Sequence, residues 1–148
     1  MHATISSVNV PAFDLSYVVE QLSHKFEYKS WSPERFVAAE AEYRRFLTLC
    51  KMFPNERLIP GRDVDSIWHR HMLNSRRYMQ DCEQYFGYYL HHQPHSRIIE
   101  DTRDPNVDWL NTLRLYEETF GEKPREGWLN NMAICNGGCD AGGCSPGS

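Results

Sequence analysis

The stretch "IWHRH", residues 67–71, places two imidazoles one residue apart, close behind Asp63 and Asp65. Imidazole nitrogens and carboxylate oxygens bind zinc and other divalent ions, and they also serve as general bases. Whether they act together depends on the backbone that carries them. In a strand His69 and His71 would share a side. In a helix each residue turns by about 100°, so the two rings point roughly 200° apart and cannot chelate one ion. Asp65 and His69 are four residues apart and share a helix face. That spacing suits two ligands, or a carboxylate that orients an imidazole. His71 falls instead on the apolar stripe, which predicts a buried, hydrogen-bonded ring.

Further donors lie downstream. His91, His92 and His95 bring to five of seven the histidines between positions 69 and 95. Cys135, Cys139 and Cys144 stand in "CNGGCDAGGC". Three thiols fall short of the four ligands of a structural zinc site, so one position is left open or is supplied by a histidine, Cys82 or a second molecule. Thiolates also suit Cu(I) and iron–sulfur clusters. The candidate metal ligands are therefore Asp65, His69, His71, His91, His92, Cys135, Cys139 and Cys144, with zinc the default ion. A joint site between the tail cysteines and His69, His91 or His92 is one arrangement, because loop-closure entropy grows slowly with length. Two other readings of the tail stand beside it: a free solvated chain, and a substrate for post-translational modification.

Helices must position these groups. Asp14 caps a first helix through "LSYVVEQLSHKF", with Leu15, Val18, Val19, Leu22 and Phe26 on one face. "SPER" opens a second, with Ser32 as cap and Pro33 at the first position. Its apolar face is Phe36, Val37, Ala39, Tyr43, Phe46, Leu47 and Cys50, and Pro54 ends it. The third is the longest, from about Asp63 to Phe86. Val64, Trp68, His71, Ser75, Tyr78, Cys82, Tyr85 and Tyr89 form its stripe, flanked by Asp65, His69, Met72, Arg76 and Met79. Asp104-Pro105 starts a fourth that runs to Gly121, and "WLNNMAI" adds one more turn. "YYLHHQPHSRIIEDTR" is an irregular connection.

Strand signals are scarce, so the fold class is all-α: a single-domain helical bundle over residues 1–134. The Gly/Cys-rich tail, residues 135–148, holds five of nine glycines and should be flexible.

The whole composition bounds the function. With 148 residues, 41% apolar and 24% charged, the chain has enough to bury one core. A formal net charge of −4 argues against nucleic acid, which needs clustered Lys and Arg. No apolar run approaches the roughly 20 residues that span a bilayer, and no secretory signal opens the chain. An odd number of cysteines, five, fits a reducing cytoplasm better than a disulfide framework.

"DVDSIWHRHMLNSRRYMQDCEQYFGYYLHHQP" resembles the segment shared by bacterial and plant glycine-rich domain-containing proteins. Those carry a Val-Asp-x-x-Trp-His-x-His core, then a tyrosine, an Asp-Cys pair and, in bacterial members, a His-His near a proline. Val64, Asp65, Trp68, His69, His71, Tyr78, Asp81, Cys82, His91 and His92 hold those positions here. The resemblance spans about residues 60 to 144, and the Cys/Gly-rich end is similar to short bacterial members. It implies no particular reaction. Three functions follow from the residues: a zinc-binding helical domain, a protein-interaction module with structural histidines and a Trp68-lined groove, or a metal-dependent enzyme using Asp65, His69 and His91 or His92.

Overall fold

A computed structural model describes residues 8–92 and 104–125. Five α-helices and a short 3₁₀ turn, Phe26–Tyr28, make up its regular structure: α1 (Ser16–Ser23), α2 (Pro33–Met52), α3 (Arg62–Leu73), α4 (Ser75–Tyr85) and α5 (Pro105–Phe120). No strand occurs among the described residues, so the fold is all-α. Residues 135–148 and the turn expected in "WLNNMAI" lie outside the described residues.

Local chemistry sets the helix ends. Ser32 accepts the Arg35 N–H at 3.1 Å, ahead of Pro33. Asp104 accepts the Asn106 N–H at 2.9 Å, ahead of Pro105. α5 stops at Gly121, whose φ of 74° is costly for any residue with a Cβ. Asp14 accepts both the backbone N–H and the hydroxyl of Ser16, so α1 begins two residues after its expected cap.

The expected single helix from Asp63 to Phe86 is two helices, broken at Asn74. Asn74 leaves the helical region (φ −87°, ψ 64°), and its amide donates back to the Arg70 carbonyl at 2.8 Å. Gln21 of α1 then clasps the same amide through two hydrogen bonds of 2.8 and 3.0 Å. Asparagine and serine compete with the helical ladder through such local bonds, and "NS" supplies both. Register survives the break: Val64, Trp68 and His71 before it, and Tyr78 and Cys82 after it, are all buried.

α3 packs on α1, α2 and α4, while α5 packs on α2. Leu15, Val18, Leu22, Tyr43, Phe46, Leu47, Ile67 and Trp68 form the shared core. Several residues expected on inward faces are outside it: Ser75 and Tyr89 of the third stripe are exposed, and so are two more. Phe26 is 79% exposed, because its helix has already ended, and Val37 is 70% exposed on the outer side of α2. Arg35 grips Asp63 with both nitrogens at 3.0 Å and stacks over Trp31, tying the start of α2 to the start of α3.

Candidate metal centre

The second stripe of α3 faces inward. Asp65 and His69 lie one turn apart on that stripe, and both are buried. A third donor arrives from outside the helix. After α4 the chain turns at Gly87 (φ 81°), whose amide bonds to the carbonyls of Cys82 and Glu83. The strap 88–92 then returns toward α3. Tyr78 fixes it: its hydroxyl accepts the Trp68 indole N–H at 3.0 Å and donates to the Leu90 carbonyl. The Trp68 ring lies 4.2 Å from that of His92.

These anchors bring three ligand atoms together. His92 Nε2 is 2.7 Å from Asp65 Oδ1, His69 Nε2 is 3.3 Å from the same oxygen, and the two imidazole nitrogens are 3.2 Å apart. All three side chains are at most 8% exposed. Asp65, His69 and His92 are the group of His, Cys, Asp or Glu among the described residues arranged to hold a metal ion. Two buried atoms of this cluster have no hydrogen-bond partner: Asp65 Oδ2 and His92 Nδ1.

The other candidates separate. His71 lies on the opposite side of α3, 1% exposed, with both nitrogens engaged. Its Nε2 meets Asp81 Oδ2 at 2.8 Å, and its Nδ1 meets the Tyr43 hydroxyl at 2.7 Å. Burial lowers its pKa, outweighing the opposing pull of Asp81. The ring is therefore neutral, donating from Nε2 to the carboxylate and accepting on Nδ1 from Tyr43. Burial holds the Tyr43 hydroxyl well above its ordinary value, so it remains a donor. His91 is exposed, with its ring against Tyr89. His95, Cys135, Cys139 and Cys144 lie outside the described residues.

His69 is 6% exposed, because His92 of the strap lies against its ring. Trp68 is 5% exposed in the core, so among the described residues it does not line the expected open groove. An open apolar cleft of about 630 Å³ lies instead between α1 and α2, lined by Tyr28, Trp31, Phe36 and Val37 among others. The partners Tyr43 and Asp81 of His71, and the clamp from Tyr78 to Leu90, were not read from sequence. Tyr78 three or four residues before Asp81 and Cys82 signals a shared face, but spacing does not say which ring each meets.

An all-α domain that converges a carboxylate and two imidazoles on one point defines the class of this protein. The chain matches the UCP032817-like family over residues 9–114 and belongs to it. It is similar to glycine-rich domain-containing protein 1 of Arabidopsis thaliana, 35% identical over 77 residues. Glycine-rich domain-containing protein 2 of the same plant is 29% identical over 89 residues. The matches cover 52% and 57% of this chain but only 9% and 11% of those proteins, so the chain spans about a tenth of their length. No solved structure matches the chain.

Proposed function

We propose that this chain is a metal-binding helical domain, with zinc the ion and Asp65, His69 and His92 the ligands. The observation that carries this is the triangle of donor atoms, with edges of 2.7, 3.2 and 3.3 Å. Ligands about 2.0–2.1 Å from a tetrahedral ion stand roughly 3.3 Å apart, so two of the edges already fit. The third opens by about half an ångström when the ion replaces the proton between His92 and Asp65. Two imidazoles and one carboxylate suit zinc better than magnesium or calcium, which take oxygen. We place the protein in the reducing cytoplasm, a reading supported by the unpaired Cys50 and Cys82.

Elemental analysis and zinc titration of protein carrying no polyhistidine tag test this reading. One zinc per chain is expected, lost in Asp65→Ala, His69→Ala and His92→Ala but kept in His91→Ala. Full occupancy in all three ligand variants would remove the reading.

The apolar cleft favours a second reading, an interaction module, since its volume lies in the small-ligand range. Val37→Glu should then weaken binding of an apolar dye to the folded protein without changing zinc stoichiometry. Equal dye binding by both proteins removes this alternative.

A further inference from the structure

Three protein donors leave a four-coordinate ion one ligand short, and two features of the site indicate what completes it. The first is charge. Two neutral imidazoles and one carboxylate contribute one negative charge against the two positive charges of the ion. A centre with net charge +1, enclosed by side chains at most 8% exposed, is poorly solvated and favours a monoanion as its remaining ligand. The second is Asp65 Oδ2. It is buried and has no hydrogen-bond partner, although its sister oxygen meets both histidines. A buried carboxylate oxygen without a donor costs free energy, and a hydroxyl or water on the ion would supply that donor at short range.

We propose that the ion held by Asp65, His69 and His92 keeps one exchangeable position, filled by a water or hydroxide that donates to Asp65 Oδ2 and is replaceable by a small monoanion. This rests on the zinc reading above and goes further: the site is an open centre, not a closed structural staple. Structural zinc sites carry four protein ligands, whereas sites with three keep a solvent position. The Trp68 ring against His92 and the burial of all three side chains favour a small ligand at that position. The alternative completion is a thiolate from Cys135, Cys139 or Cys144, which would also neutralise the charge but would leave Oδ2 without a donor.

Loading the full chain with Co(II) in place of zinc separates these cases by absorption spectroscopy, with azide as the anion probe. The visible bands should lack a near-ultraviolet thiolate charge-transfer band and should shift saturably with azide. The same behaviour is expected when Cys135, Cys139 and Cys144 are all changed to serine in the full chain. A charge-transfer band that vanishes in the serine variant, or visible bands indifferent to azide, would show the fourth position closed and overturn the open site while leaving the metal reading intact. Failure of cobalt and zinc to bind at all would instead overturn the metal reading and the open site with it.

Discussion

His69 and His71 stand one residue apart and face opposite chemistry. His69 meets a carboxylate and a second imidazole, whereas His71 is locked between Tyr43 and Asp81. Truncating His71 to alanine leaves a buried hydroxyl and a carboxylate without their partner, costing about 3 kcal/mol. His69→Ala should cost less stability in metal-free protein and should lose the ion; chemical denaturation with and without zinc checks both. A smaller loss for His71→Ala would mean that its bonds contribute little. His71 also sets a pH dependence. Its folded pKa lies below the ordinary 6.5, so at pH values between the two the unfolded chain binds more protons. Stability should be present above pH 6.5 and fall as pH drops through that window, by at most about 1.4 kcal/mol per pH unit for one group. His71→Gln should flatten the slope; an unchanged slope assigns the effect elsewhere.

At the scale of elements, helix faces were legible and helix continuity was not. The spacing of Val64, Trp68 and His71 gave the inward stripe, and the separation of His69 from His71 follows from the turn per residue alone. The Asn74-Ser75 pair permits a break through local bonds, but Gln21, distant in sequence, holds Asn74 there, so the local pattern alone does not announce it. The same limit hides one of the three donors of the candidate metal centre. Asp65 and His69 are readable as a helical pair, but His92 reaches them only because Tyr78 holds Leu90, a contact between two elements. Tyr78→Phe removes that hydroxyl from both Trp68 and Leu90 while keeping the ring. Zinc affinity should fall about tenfold, as for other residues that orient a ligand, with helical content unchanged. Wild-type affinity in the variant would show that the strap is held by its other contacts. Between α2 and α5, Glu42 is 4% exposed, and burial raises its pKa despite the Tyr116 hydrogen bond. Because its folded pKa exceeds its unfolded value, the folded state loses stability as pH rises through the interval above 4.5. Glu42→Gln should therefore gain stability relative to wild type between pH 4 and pH 7, measured by urea midpoints. A constant difference across that range would mean that Arg45 fully offsets the burial.

For the molecule as a whole, the Asp65–His69–His92 cluster joins the strap after α4 to the central helix α3. α3 contacts α1, α2 and α4, whereas the strap 88–92 rests on the Tyr78 clamp, ring contacts and the His92 network. On the proposed zinc reading, an ion held there would bind the folded chain and fix that strap to the central helix, so it should stabilise the entire fold by mass action. At free zinc one hundred times the dissociation constant the gain is about 2.7 kcal/mol for one site. For a chain of this length that corresponds to a rise in Tm of roughly 5–10 °C. The tail cysteines introduce an opposing effect, because zinc bound by the unfolded chain subtracts from the shift. The measurement is therefore made with Cys135, Cys139 and Cys144 changed to serine, which should show at least the wild-type shift. His92→Ala in that background should lose it, since two ligands on one helix cannot tie the strap. A Tm that rises equally with and without His92 would place the stabilising zinc elsewhere in the chain.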